Sequence, residues 1–149
     1  MERPRWKVVA VDRCVEALEV ASQNYADVGE RFNLGDVQFK RSDWFSEIGN
    51  RFDLILANPP YVALDDPLYE GSGFEPARAL FSGPSGLEAL QTIVSDSPMY
   101  LRPAGWLLVE HGNLQGDKVR KLMDDAGLHR IESRQDLAGH ERMTLGRAS

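Results

Sequence analysis

Asn58, Pro59, Pro60 and Tyr61 are the residues of this 149-residue chain whose types and spacing most directly offer chemistry. Consecutive prolines fix two φ angles and remove two N–H donors, leaving a stiff backbone that presents only carbonyl acceptors there. The side-chain amide of Asn58 adds one acceptor and two donors. Such a stretch suits a flat –NH2 group, which needs two acceptors held rigidly. The same residues also read as a Pro-Pro turn leaving a strand, with Tyr61 as ordinary packing. The tetrapeptide alone leaves both readings open.

The elements around it favour a site. Residues 52–57 (FDLILA) form a short apolar run, expected to be a strand buried on both faces, and 58–61 follow it directly. In open α/β sheets ligands bind beyond the carboxyl ends of the strands. Residues 6–11 (WKVVAV) are a second buried-strand candidate, and 37–41 (VQFKR) alternate as a strand does. Between them Cys14, Ala17, Leu18, Ala21 and Tyr25 fall on one helical face. Residues 61–85, rich in Pro, Gly, Asp and Ser, read as a long loop of the kind that carries function.

Regular structure then resumes. Leu87, Leu90, Ile93, Val94 and Leu101 fit a helix stripe that Pro98 is expected to end or kink. A turn at 103–105 precedes a strand at 106–110 (WLLVE). Val119, Leu122, Met123 and Ala126 mark a helix stopped by Gly127, and closing strands are expected at 129–135 and 142–146. Helices alternating with buried strands define an α/β fold, with a mostly parallel sheet covered on both faces.

Composition bounds the function classes. Hydrophobic residues make up 42% and charged residues 27%, as in an ordinary globular domain. The length suits one domain, and no apolar run approaches a membrane span. A lone cysteine, Cys14, forms no internal disulfide, which points to a reducing, cytoplasmic setting. The net charge of −6, with scattered Lys and Arg, argues against direct nucleic-acid binding. No His/Cys cluster suggests a metal.

An Asn-Pro-Pro-Tyr tetrapeptide after a strand resembles the amino-methyltransferases, which methylate planar nitrogens of adenine, cytosine or glutamine. The rest of the chain resembles one branch, the HemK/PrmC family of release-factor glutamine N5-methyltransferases. The similarity is carried by VAVDR (9–13), SDWF (42–45), NPPYV (58–62), FEPARAL (74–80) and GPSGL (83–87). It continues through LRPAG (101–105), EHG (110–112) with Gln115-Gly116, and DLAGHERMTLG (136–146), in the family's order.

The resemblance implies a class I, Rossmann-like fold dependent on S-adenosyl-L-methionine, with an antiparallel C-terminal strand and S-adenosyl-L-homocysteine as product. Asp12 is then expected to accept hydrogen bonds from the ribose hydroxyls; its competing role is to cap the following helix. Asp43 and Trp44 are expected at the adenine, carboxylate to the exocyclic amine and ring against the base. Asn58 is expected to contact both cofactor and substrate. The Asn58 oxygen and the Pro59 carbonyl would accept the two N–H bonds of the substrate amide, with Pro60 and Tyr61 shaping the pocket. The implied substrate is the glutamine of the Gly-Gly-Gln loop of class I peptide-chain release factors. His111 reads as a hydrogen-bonded structural histidine, and Glu75 and Glu110 as residues that shape the site or its loop.

A complete domain of this family begins with a strand and a Gly-rich loop for the methionine end of the cofactor, after a helical N-terminal domain. Residues 1–149 match neither, and 1–5 read as the end of the helix after that loop. The expectation is a partial catalytic domain, inactive alone, whose missing central strand a partner chain or a swapped strand could replace. Two other readings compete: a nucleic-acid adenine N6-methyltransferase, and a non-catalytic remnant that binds a protein.

Overall fold

The computed structural model describes residues 6–32, 35–66 and 76–149. Strand β1 (Lys7–Asp12) leads into helix α1 (Val15–Phe32), followed by β2 (Asp36–Arg41) and β3 (Phe52–Ala57). A short helix α2 (Ala77–Leu80) and α3 (Glu88–Tyr100) precede β4 (Leu101–Glu110) and α4 (Gly116–Asp125). The antiparallel strands β5 (His129–Gln135) and β6 (Glu141–Arg147) close the chain. The α/β class, the parallel pairs and the antiparallel C-terminal strand agree with the sequence reading.

The chain divides into two compact units, Met1–Gly49 and Asn50–Ser149. In the first, β1 and β2 pair in parallel, with Asp12 opposite Arg41. Helix α1 packs on both strands, and the expected stripe is half-buried at Cys14, Leu18, Ala21 and Tyr25, whereas Ala17 is exposed. The Tyr25 ring meets Phe39 edge-on at 5.9 Å, and its hydroxyl donates to the Gly35 carbonyl. Gly35 itself must be glycine: a Cβ there would lie 2.6 Å from the Trp6 carbonyl oxygen.

The second unit holds a sheet of order β3-β4-β6-β5, with β3 parallel to β4 and β6 antiparallel to both its neighbours. Its core gathers Leu90, Ile93 and Val94 of α3, Leu107 and Val109 of β4, and Val119 and Met123 of α4, all at most 1% exposed. Helix α3 packs on β4 and on α4, and α4 on β5 and β6. That face is sealed.

Three expectations need correction. Strands β1 and β3 are not buried on both faces: Val8 and Val11 are each 40% exposed, and Leu56 is 67% exposed. Each pairs on one side only among the described strands, β1 with β2 and β3 with β4, so each is an edge. By contrast, helix α3 ends before Leu101 as expected, at Tyr100, two residues beyond Pro98. Proline removes the N–H that would reach the Val94 carbonyl, and the Ser97 hydroxyl donates to that carbonyl instead at 3.0 Å. The turn at 103–105 survives only as an irregularity within β4. The register jumps from Phe52–Leu101 to Leu54–Trp106, and Ala104 takes a φ of 64°. The expected long loop over 61–85 also contains α2 and a parallel bridge between Val62 and Phe81. The role suggested for Glu75 lies outside the described residues.

Candidate functional site

The predicted residues fall into two groups, one in each unit. In the first unit, the parallel pairing of β1 and β2 brings Asp12, Asp43 and Trp44 to one carboxyl edge, where the Ser42 N–H donates to the Asp12 carbonyl at 3.1 Å. Asp12 is exposed, and its Oδ1 accepts from the Cys14 N–H at 2.7 Å. This bond holds the residue just before α1 and leaves the helix cap position to Cys14, while the Asp12 side chain lies at the surface.

After β2 the chain turns tightly around Ser42, which is 4% exposed. The Ser42 hydroxyl donates to the Trp44 carbonyl at 2.8 Å and accepts the Glu47 N–H at 3.1 Å. The Asp43 N–H is taken by the Ser46 hydroxyl at 3.1 Å, leaving the Asp43 carboxylate at the surface. Trp44 sits in the left-handed region, with a φ of 50°. A bulky side chain rarely adopts that backbone, and holding it there costs on the order of 1–3 kcal/mol. The Trp44 side chain is half-buried in this turn. Ser42, which sequence reasoning quoted only as part of a motif, organises it.

In the second unit Ala57 is paired with Val109, so β3 and β4 end side by side, and Asn58 and Glu110 are the next residues on each. Asn58 is exposed, Pro59 is buried, and Pro60 and Tyr61 are half-buried. The Tyr61 hydroxyl donates to Glu110 Oε1 at 3.2 Å, and its carbonyl accepts from Gln115 Nε2 at 3.0 Å. The next residue is pinned twice: the Val62 N–H donates to the Leu80 carbonyl at 2.9 Å, and the Val62 carbonyl accepts the Ser82 N–H at 2.8 Å. The proline pair is thus anchored on both sides, by the β3 ladder before it and by this clamp after it. Glu110 gains a definite partner that its sequence position could not reveal.

His111 is the structural histidine expected. It is fully buried, with Nδ1 at 2.9 Å from the Gly112 carbonyl and Nε2 at 2.8 Å from the Thr144 hydroxyl. The carbonyl can only accept, so Nδ1 donates and Nε2 accepts from Thr144. Thr144 in turn takes the Ser133 hydroxyl at 2.9 Å, and Ser133 accepts from Arg120, which is ion-paired with Glu141 at 2.9 Å. With the single Thr144 hydrogen committed to His111 Nε2, Ser133 must donate to Thr144, and its oxygen is left to accept from Arg120. The network holds the EHG turn to β5, β6 and α4. Among the described residues no group of His, Cys, Asp and Glu is placed to hold a metal, and no helix is long and apolar enough to cross a membrane.

Comparison with known proteins gives the class first. The Methyltransferase small domain family matches residues 1–68. A methyltransferase from Pyrococcus furiosus superposes on 95% of the chain with a TM-score of 0.65 at 20% identity, covering 61% of that structure. A Thermus thermophilus 16S rRNA N2 G1207 methyltransferase, solved with AdoMet and guanosine, superposes on 96% with a TM-score of 0.65 at 16% identity, covering 32% of that structure. The fold is that of the class I S-adenosylmethionine-dependent methyltransferases.

Sequence relatives narrow it further. The release factor glutamine methyltransferase of Xylella fastidiosa (strain 9a5c) is 45% identical over 98% of the chain, which covers 53% of that relative. That of Pseudomonas aeruginosa is 45% identical over 97%, covering 52% of its length. Along nearly its whole length the chain is similar to release factor glutamine methyltransferases, and it spans about half the length of the curated relatives it matches.

Proposed function

We propose that this chain carries the substrate-amide half of an enzyme that methylates the side-chain nitrogen of the glutamine in the Gly-Gly-Gln motif of class I release factors. The observation that carries the reading is the proline pair fixed between the β3 ladder and the Tyr61–Val62 clamp, beside an exposed Asn58.

An amide nitrogen is a weak nucleophile because its lone pair is delocalised into the carbonyl. Position and electrostatics must therefore do most of the work. The Asn58 oxygen and the Pro59 carbonyl accept the two N–H bonds of the substrate amide, orient the nitrogen and offset the positive charge that grows on it. The buried Pro59 prevents the acceptor from swinging away, and Tyr61, tied to Glu110, walls the pocket. Bound S-adenosyl-L-methionine supplies the electrophilic methyl group. The exposed carboxylates of Asp12 and Asp43 fit ribose hydroxyls and an exocyclic amine, and the half-buried Trp44 ring fits a flat base. No step calls for a metal.

The family resemblance assigns the methionine end of the cofactor to a strand and Gly-rich loop, a pattern that residues 1–149 do not match. In the tests that follow, the intact enzyme is these residues joined to the further length that the curated relatives have. In the intact enzyme Asn58→Ala should lower turnover on a release factor by about 100-fold or more, the scale of losing one preorganised acceptor. Unchanged turnover, or faster methylation of DNA than of the release factor, would refute the proposal. Calorimetric titration of residues 1–149 alone with cofactor should give binding far weaker than the intact enzyme shows.

A further inference from the structure

Gln115 contacts three separated stretches of the second unit. Its Oε1 accepts the Gly112 N–H at 2.8 Å, and its Nε2 donates to the Tyr61 carbonyl at 3.0 Å and to the Gly86 carbonyl at 3.2 Å. Both amide hydrogens and the oxygen are used, and the orientation is unambiguous because a backbone N–H needs an acceptor and carbonyls need donors. The backbone of Gln115 is itself fixed, its N–H donating to the Gly112 carbonyl at 2.9 Å and its carbonyl accepting the Val119 N–H at 3.0 Å as α4 begins. Gly86, at a φ of 73°, makes room for the arrangement. A Cβ there would lie 2.6 Å from the Tyr61 oxygen and 3.1 Å from Gln115 Nε2.

We propose that Gln115 is a positioning residue for methyl transfer, holding the Tyr61 carbonyl so that the two prolines present their acceptor in one fixed place. The inference rests on the reading of Asn58 and Pro59 as the amide acceptors. With both proline φ angles fixed, the freedom left to the tetrapeptide lies in the peptide planes at its two ends. The β3 ladder holds one end, and Gln115 holds the other across 54 residues of sequence. A shift of about 1 Å in an acceptor can cost about 100-fold in rate.

The test compares Gln115→Glu with Asn58→Ala in the intact enzyme, measuring kcat on a class I release factor, cofactor Kd and thermal unfolding. Glutamate keeps the shape and the acceptor for the Gly112 N–H, but it replaces the donor to the Tyr61 and Gly86 carbonyls with a repelling oxygen. A residue that merely caps the EHG turn would tolerate it. The expected result is a fall in kcat of about 100-fold with cofactor Kd within about twofold of the parent. If Gln115→Glu keeps kcat within about threefold while Asn58→Ala abolishes turnover, the positioning role is wrong and the acceptor reading stands. Full turnover by Asn58→Ala removes the acceptor reading, and this inference with it. Parallel losses in cofactor affinity and kcat also count against it. Should Gln115→Glu fail to fold, Gln115→Asn, one methylene shorter, is judged by the same criteria.

Discussion

The two units solve the same packing problem unequally. Every described hydrophobic residue buried below one-tenth exposure lies in Asn50–Ser149, whereas in the described part of Met1–Gly49 the only residue that deeply buried is a serine, Ser42. One unit closes a four-stranded sheet under two helices; the other sets one amphipathic helix on a two-stranded ribbon. A two-stranded ribbon is marginal by itself. The lesson concerns where rigidity resides. The candidate amide acceptors stand on the unit with a core, while the candidate nucleoside contacts stand on a turn organised by one buried hydroxyl and a strained tryptophan.

Substitution can break this contrast most severely at the core. Leu90→Ala should cost about 2–5 kcal/mol, because a fully buried leucine leaves a cavity. Val8→Ala, at a strand position 40% exposed, should cost about 0.5 kcal/mol. Chemical denaturation of both variants measures the difference, and equal costs would mean that the first unit has a core of its own. A smaller effect is expected from Thr144→Val, which keeps the volume but leaves His111 Nε2 buried without its donor. The expected loss is about 1–3 kcal/mol by urea unfolding, and no loss would show that the hydroxyl relay does not hold the EHG turn.

The smallest effect belongs to the β5–β6 turn. The backbone N–H of His140, then that of Ala138, and then Arg142 hold the Asp136 carboxyl below the usual carboxylate range. A lowered folded-state pKa contributes stability above the unfolded value and loses it as pH falls through the folded one. Asp136→Ala should therefore lower Tm slightly at neutral pH, with the gap closing in strong acid. A gap that persists in acid would assign the effect to packing instead of charge.

Much of this molecule was legible from local pattern. The strand runs, the helix stripes and the stop at Gly127 follow from periodicity and from the conformations glycine allows, which depend on neighbours in sequence. The stiffness of 58–61 follows likewise from proline geometry. Pro98 marks the end of α3 to within two residues, and its neighbour Ser97 satisfies the carbonyl that the proline deprives. The exposure of β1 and β3 misled because an apolar run reports what a strand can bury, not which strand lies beside it.

By itself, then, the sequence determined the α/β order, the rigid tetrapeptide and the resemblance that relatives bear out. Tertiary structure alone decided that Glu110 meets Tyr61, that Thr144 orders His111, and that Gln115 spans three stretches of chain. The reason is physical. A hydrogen bond forms where donor and acceptor meet in space, and residues 33 to 54 apart meet only after the strands and helices between them have packed.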